Sequence, residues 1–279
     1  MSLDPERVRQ VVRGALQEDV GARDATSEAT VPEHSRAKGV LLAKQELIVA
    51  GLDVALAAFR ALDPLCTWEP EAREGERFFP GTVLGTVSGR ARAVLTAERV
   101  ALNFLQRLSG VATLTRRFVD AVDGTGARIR DTRKTTPLLR FLEKHAVEAG
   151  GGVAHRSGLD SAILVKDNHV RLAGSVRQAT LRAVAGAEGL AVEVEVESLD
   201  QIEDAIAAGA QMVLLDNFAP DDVREAVAVV DGRVPVEVSG GVTLATVRAY
   251  AEARPDFIAI GALTHSAPAV DISLEVEPL

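Results

Sequence analysis

From residue 127 onward the chain repeats one grammar: a short apolar run, a polar loop, then a helix signal. No other feature of its 279 residues constrains the fold as tightly. The apolar runs fall at 127–130, 162–165, 191–194, 212–215, 234–238 and 257–260. Their ends lie near positions 131, 166, 195, 216, 239 and 261, so successive ends are 35, 29, 21, 23 and 22 residues apart. That is the room a helix and its turns need to return the chain parallel to the preceding strand. Helix signals sit in the gaps. Thr136-Pro137 reads as an N-cap and first helical residue, and Ser198 to Gln201 as a capping box. Apolar positions then recur on one face, as in Leu199, Ile202, Ala205 and Ile206, again in Val223, Ala226, Val227 and Val230, and in Leu244, Val247 and Ala251. Short parallel strands alternating with helices require a sheet covered on both faces. No Gly-x-Gly-x-x-Gly follows the first strand, which favours a barrel over a dinucleotide fold. The segment 127–265 has only 139 residues, against about 250 for a complete eight-unit barrel. An α/β barrel that is incomplete or compact is therefore expected.

The first 110 residues follow a different pattern. Val8, Val11, Val12 and Leu16 recur at helical spacing and predict an amphipathic helix over residues 4–18. Strand-like runs follow at 39–43, 47–50, 83–87 and 91–95, the last two joined by Ser88-Gly89, a hairpin signal. A helix is expected over 54–62. This α+β pattern with antiparallel neighbours predicts a small sandwich. A long apolar-periodic stretch over 98–122 bridges to the second part, with Thr96 as its N-cap and Glu98 in the first turn. At the far end Val270, Ile272, Leu274 and Val276 alternate as in a further strand, returning to the first domain. The expected division is an N-terminal α/β sandwich over 1–110, completed by 268–279, and an α/β barrel over 111–267.

Composition narrows the function. With 47% hydrophobic residues the chain is not disordered, and 31 basic against 40 acidic side chains, a net charge of −9, argue against a general nucleic-acid binder. The lone Cys66 excludes an intramolecular disulfide framework and a cysteine-based zinc site. The opening Met1-Ser2-Leu3-Asp4 lacks the apolar stretch of a signal peptide. No apolar run approaches about 18 residues, so a soluble, cytoplasmic protein with no membrane partner is expected. The net charge hides a local reversal. Between positions 128 and 171 nine bases face five acids, a sum of +4 that leaves −13 for the rest. Three of the five histidines, His145, His155 and His169, lie in the same window. Such a window suits a small anionic ligand held by a focused field. A solvated helix face accounts for Arg140 and Lys144, four apart, but poorly for the other bases.

The strand ends carry the chemistry-bearing residues. They lead into Asp131-Thr132-Arg133-Lys134, Lys166-Asp167-Asn168-His169, Asp216-Asn217, Ser239-Gly240-Gly241 and Ile260-Gly261-Ala262 with His265 beyond, while Glu193, Glu195 and Glu197 alternate with valines. In barrels the carboxyl ends of the strands converge on one mouth, where substrates bind. The glycine pairs would let backbone N–H groups approach a phosphate, or they are ordinary turns. Glu195 and Asp216 can accept ribose hydroxyls, hold Mg²⁺ through water or stabilise a cationic transition state. The three glutamates share one strand face, so a partly solvated face is the plain alternative. His155 and His265 fit ligand, acid–base or structural roles. Lys134 and Lys166 fit a Schiff-base role or an electrostatic anchor.

Taken together and in order, these motifs become recognisable. Glu98-Arg99-Val-Ala-Leu-Asn103-Phe-Leu-Gln106-Arg107-Leu-Ser109-Gly110 precedes Asp131-Thr-Arg-Lys-Thr-Thr-Pro137. Gly150-Gly151-Gly152-Val-Ala-His155-Arg156, Leu164-Val-Lys166-Asp167-Asn168-His169, Glu193-Val-Glu195-Val and Ser239-Gly-Gly241 follow. The chain closely resembles the quinolinate phosphoribosyltransferase family over nearly its whole length. At the start, Ala22-Arg23 stands where that family often has a glycine.

The resemblance implies an N-terminal α/β sandwich joined to an open seven-stranded α/β barrel. It implies transfer of phosphoribosyl from phosphoribosyl pyrophosphate to quinolinate, giving nicotinate mononucleotide, pyrophosphate and CO₂, with Mg²⁺ required. It places quinolinate among Arg133, Lys134, His155, Arg156 and Lys166, counts Thr132 among the substrate-binding residues, and has Arg99 reaching in from the second subunit of a homodimer. It gives Lys134, Glu195 and Asp216 catalytic roles, with the two acids on the ribosyl pyrophosphate and its metal. The backbone of Ser239, Gly240, Gly241, Ile260, Gly261 and Ala262, with His265 nearby, would hold the 5′-phosphate. The alternatives are a related phosphoribosyltransferase for another acceptor, including the molybdenum-associated paralogues, a Schiff-base aldolase, and a non-enzymatic binder of phosphometabolites.

Overall fold

The computed structural model describes residues 3–279, so the first two residues of the charged N-terminus lie outside it. In chain order the elements are α1 (Pro5–Val20), α2 (Ala25–Thr30), β1 (Arg36–Ala43), β2 (Leu47–Ile48), α3 (Leu52–Leu62), β3 (Thr67–Pro70), β4 (Arg77–Phe78), β5 (Val83–Arg90) and α4 (Ala91–Ala121). Then come β6 (Arg128–Arg130), α5 (Arg140–Ala149), β7 (Ile163–Val165), α6 (Asp167–Ala173), α7 (Val176–Ala185), β8 (Val192–Val196) and α8 (Leu199–Ala207). The last are β9 (Met212–Asp216), α9 (Pro220–Val230), β10 (Val236–Ser239), α10 (Val247–Glu252), β11 (Phe257–Ala259), α11 (Ala262–His265) and β12 (Ile272–Pro278). Among the described residues no helix is long and apolar enough to cross a membrane.

The chain forms two compact units. The first comprises residues up to Arg116, the segment Thr135–Gly151 and the tail Thr264–Leu279. Its four-stranded sheet has the order β12–β1–β5–β3, with β12 antiparallel to β1 through Leu41 opposite Leu274. The alternating tail thus becomes an edge strand far in sequence from its partner. Helix α1 begins as its sequence dictates: Asp4 accepts the Glu6 N–H at 3.0 Å and Pro5 takes the first turn. It buries Val8, Val12 and Leu16.

Four local readings are corrected here. Residues 91–95 are not a strand and Ser88-Gly89 is not a hairpin turn, because β5 runs straight through that pair and α4 begins at Ala91. Gly89 serves close approach: a Cβ there would lie 2.8 Å from the Asp63 Oδ2. Ala91, Arg92, Ala93 and Leu95 are strong helix formers, and that propensity wins. Thr96 is therefore interior to α4, and its hydroxyl donates to Asp24 Oδ2 at 2.8 Å. Thr136-Pro137 opens a turn, and α5 starts only at Arg140. The buried Glu143 draws the turn in, accepting the Thr136 N–H at 2.9 Å and its hydroxyl at 2.8 Å while pairing with Arg107 at 2.9 Å. Those bonds hold the Thr135–Gly151 segment in the first unit.

The second unit, Arg117–Lys134 and Gly152–Leu263, carries the repeated grammar. Its six strands are parallel in the order β6–β11–β10–β9–β8–β7. Val153 adds a parallel bridge to Arg130, a minimal further strand beside β6. Among the described residues β7 pairs only with β8, so the sheet is open. Ile129, Val194, Leu215, Val238 and Ile258 are buried in it, each stabilising the fold by about 1.5–3 kcal/mol. Helices α8 and α9 cover it through Ile202, Ala205, Val223, Ala226 and Val230. At α8 the Ser198 hydroxyl makes no cap bond, and the Gln201 side chain instead accepts the N–H of Glu197 at 2.8 Å.

Candidate active site

Two tiers of charged groups line the second unit. The outer tier stands at the carboxyl ends of β7, β8 and β9. Strand β8 reads Val-Glu-Val-Glu-Val and is buried along its length, so Glu193 and Glu195 point to the same side of a buried strand. A partly solvated face is thereby overturned, and only Glu197, past the strand end, is exposed. Glu195 Oε2 accepts from Lys166 Nζ at 2.7 Å. Asp216, at the end of β9, accepts from the Asn217 amide at 2.7 Å. Its carboxyl is held above the ordinary aspartate value by burial and then by the charge of Glu195, opposed by Lys166 and Lys134. Lys134, Lys166, Glu195 and Asp216 therefore share one electrostatic neighbourhood.

The inner tier lies below. Arg130 of β6 donates from Nη1 to Glu237 Oε2 of β10 at 2.6 Å. His155 Nε2 is 3.2 Å from Glu193 Oε2 and 3.5 Å from Glu237 Oε1. The opposite ring nitrogen, Nδ1, accepts the backbone N–H of Arg156 at 2.7 Å. Asp131, fully buried, accepts the N–H of His155 at 2.6 Å. Since Nδ1 is an acceptor, the ring hydrogen sits on Nε2 and faces the two carboxylates. His155, Glu193 and Glu237 bring ligand atoms within 4.8 Å of one another. A nitrogen that carries hydrogen does not ligate a metal, and Arg130 already supplies the cation there. This tier is a hydrogen-bonded ion network.

Arg156 links the tiers. It donates from Nη1 to the Ala162 carbonyl at 2.9 Å, and its buried Nε has no partner. Burial and then the nearby Arg133 guanidinium depress its proton affinity, with Glu193 acting the other way. Two guanidiniums held close together, one with a buried donor unused, have the charge and fork geometry that suit a planar dianion.

The loops fit anion binding as well. Gly240 and Gly241 both adopt positive φ, 99° and 61°. A Cβ on Gly240 would collide with the Asn217 side chain. Ser239 pairs in register with Asp216, which sets this loop beside the outer tier. Ile260 donates its N–H to the Arg130 carbonyl at 2.9 Å, and Gly261-Ala262 leads into α11. Thr132 Oγ1 accepts the Lys134 N–H at 3.0 Å, shaping the turn that presents Arg133 and Lys134.

Not every predicted residue joins these tiers. Arg99 belongs to the first unit, where it lines a cavity of about 270 Å³ with Asp19, Arg23, Asp24 and Thr96. His265 also groups with the first unit, its Nδ1 2.6 Å from the Ser266 hydroxyl. The bases between 128 and 171 divide as well. Arg140 and the buried Lys144 lie on α5 in the first unit, and Arg171 lies exposed on α6, 4.0 Å from Asp167. The positive sum therefore marks a neighbourhood in sequence more than one pocket. Sequence reasoning missed Arg130 and Glu237. The signal was available: Val236-Glu237-Val238 repeats the valine–glutamate alternation of β8 on a second strand of a doubly covered sheet.

An open parallel α/β unit whose carboxyl strand ends gather cations and carboxylates together defines an enzyme acting on small, highly charged substrates. The family model for the C-terminal domain of quinolinate phosphoribosyl transferase matches residues 111–275, and that for its N-terminal domain matches residues 24–109. The chain belongs to the quinolinate phosphoribosyl transferase family and is a phosphoribosyltransferase. It is 44% identical to the nicotinate-nucleotide pyrophosphorylase [carboxylating] of Mycobacterium leprae, covering 97% of this chain and 98% of that protein. It is 40% identical to the probable enzyme of that name from Bacillus subtilis, covering 97% and 93%. The crystal structure of NadC from Streptococcus pyogenes superposes with a TM-score of 0.96 at 39% identity, covering 100% of this chain and 99% of that one.

Proposed function

We propose that this protein transfers the phosphoribosyl group of phosphoribosyl pyrophosphate to quinolinate with decarboxylation, yielding nicotinate mononucleotide, pyrophosphate and CO₂, a step of NAD biosynthesis. The observation that carries this reading is Arg156, half-buried near Arg133 with a buried Nε donor unused, beside a separate pair of carboxylates. One half of the site suits a dicarboxylate and the other a developing cation.

The chemistry follows from these groups. Arg133 and Arg156 neutralise and orient the two quinolinate carboxylates, with Lys134 adding charge. The pyridine nitrogen forms a bond to the anomeric carbon as the bond to pyrophosphate breaks, and the leaving group departs with the electron pair. Positive charge at that carbon is stabilised by Glu195 and Asp216. Lys166 keeps Glu195 oriented through their ion pair. The ribosylated ring is cationic, so it accepts the electron pair of the C2–carboxylate bond when CO₂ leaves, and C2 then takes a proton from water. Glu195 and Asp216 are hard oxygen donors, and the mutual charge recorded at Asp216 is what a divalent cation relieves. They would hold Mg²⁺, directly or through water, and bound Mg²⁺ would stabilise the pyrophosphate leaving group. The backbone of residues 239–241 and 260–262 would receive the 5′-phosphate. Arg99 from a second copy of the chain would complete the quinolinate pocket, making the active form a homodimer.

The test is product formation. Nicotinate mononucleotide and CO₂ should appear from quinolinate, phosphoribosyl pyrophosphate and Mg²⁺, and chelation should stop both. No product from folded protein at saturating substrate overturns the reading. Mixing an Arg99→Ala variant with a Glu195→Ala variant should restore part of the activity if two copies share each site.

A further inference from the structure

We propose that Asn217 is a positioning residue for phosphoribosyl pyrophosphate: its amide aims the Asp216 carboxylate, and its backbone locks that acid to the Ser239-Gly240-Gly241 loop. The inference rests on the reading that Asp216 meets the ribose and that loop the 5′-phosphate.

Asn217 follows β9 in a left-handed conformation, with φ 60°. Asparagine and aspartate visit that region more readily than other side chains with a Cβ, which accounts for the residue type at this bend. The bend turns the side chain back on its neighbour, and Nδ2 donates to Asp216 Oδ2 at 2.7 Å. The last torsion of an aspartate is broad and two-fold when nothing holds it. The amide holds it here, so the carboxylate presents one fixed direction.

The same residue is bound to the neighbouring loop. Its backbone N–H donates to the Ser239 carbonyl at 2.9 Å, and Ser239 stands in register with Asp216 across β9 and β10. Gly240, with φ 99°, lies so close that a Cβ there would collide with Asn217 Oδ1 and sit 2.9 Å from its backbone nitrogen. The next residue, Phe218, is buried, and its carbonyl accepts the Tyr250 hydroxyl of α10 at 3.1 Å. The end of β9 is thus tied to the loop after β10 and to the helix that loop leads into. A substrate gripped by its ribose and by its 5′-phosphate needs those two contact points at a fixed spacing. Asn217 touches the protein at both. Arg133 and Arg156, assigned to quinolinate, take no part in these contacts, so the effect belongs to one substrate.

The experiment compares wild type with Asn217→Gly and Asn217→Asp. Glycine takes the left-handed backbone without strain and keeps the bond to Ser239, but it removes the amide. Aspartate keeps the shape and tolerates the same backbone, but it sets a second carboxylate where the donor stood. Melting temperature, kcat/KM for phosphoribosyl pyrophosphate at saturating quinolinate, and direct titration of quinolinate are measured for each. Asn217→Gly should melt near wild type while its kcat/KM falls about tenfold, the scale of one hydrogen bond to a charged group. Asn217→Asp should fall further. Quinolinate affinity should stay at the wild-type value in both. Wild-type kcat/KM in Asn217→Gly would show that the residue serves only the turn, and overturns the proposal. Equal weakening of quinolinate binding overturns it as well, and so does an Asn217→Asp variant as active as wild type. Absence of wild-type turnover is a different result and defeats the underlying function instead. Calorimetric titration of phosphoribosyl pyrophosphate with Mg²⁺ then still decides, weaker binding to Asn217→Gly supporting the proposal and equal binding overturning it. If Asn217→Gly does not fold, the same readouts on Asn217→Asp decide.

Discussion

Glu195 and Glu193 are two residues apart on one strand, on one face and equally buried, yet their surroundings assign them opposite work. Glu195 meets Lys166, whose side chain is 47% exposed, and its carboxylate neighbour Asp216 is half-buried. Glu193 meets His155, and its carboxylate neighbour Glu237 is wholly enclosed with Arg130. One step of strand pleat moves a glutamate from a place where charge can meet substrate to one where it can only meet protein. Position along the strand relative to the mouth, more than burial of the glutamate itself, separates reacting charge from supporting charge.

Five substitutions test that separation. The largest expected effect is at the inner tier. Glu237→Leu leaves Arg130 in the interior without its carboxylate and should cost about 3–5 kcal/mol of stability. Urea denaturation measures it, and pairing it with Arg130→Met should recover much of the loss. Wild-type stability in Glu237→Leu would show that the inner tier is not an enclosed ion network. At the outer tier the pattern should invert, with Glu195→Ala lowering kcat by about 10²–10³-fold while its melting temperature stays near wild type. A Glu195→Ala variant that melts much lower yet turns over normally would erase the distinction. Arg156→Lys keeps charge but loses the fork, and the quinolinate KM should rise about tenfold with little change for phosphoribosyl pyrophosphate.

The smallest effect is on the stability of Asp216→Asn. Burial and Glu195 hold the Asp216 carboxyl above its ordinary value. Its charged form therefore detracts from stability above the ordinary aspartate range, and relief comes as pH falls through the raised value. Asp216→Asn should lose activity but melt slightly higher than wild type at pH 7, and the two should converge in acid. Equal melting at both pH values would remove the strain from the outer tier.

Much of this was legible beforehand, for reasons of period and spacing. The repeated strand, loop and helix grammar foretold the parallel unit because each strand is an apolar run bounded by turn residues. Strand-end residues such as Lys166, Glu195 and Asp216 stood out because polar groups there have a single mouth to face. The misreadings came from signals with two physical causes. Gly89 and the residues after it looked like a turn and a strand, but the glycine answers a close contact with Asp63 and the alanines propagate a helix. Thr136-Pro137 looked like a cap, but a buried glutamate seven residues on claims the threonine. Glu237 passed unnoticed because a lone acid in a strand gives no local indication of its partner, here 107 residues away.

The sequence by itself determined the layered α/β architecture, the family and the kinds of charge at the strand ends, because periodicity and motif order are local properties of the chain. Tertiary structure alone decided which charges meet. It set Lys166 on Glu195, Arg130 on Glu237 and the His155 ring between two carboxylates and a backbone N–H. Ion pairing and tautomer depend on distances of a few ångströms between strands far apart in sequence, and those distances exist only once the sheet has assembled.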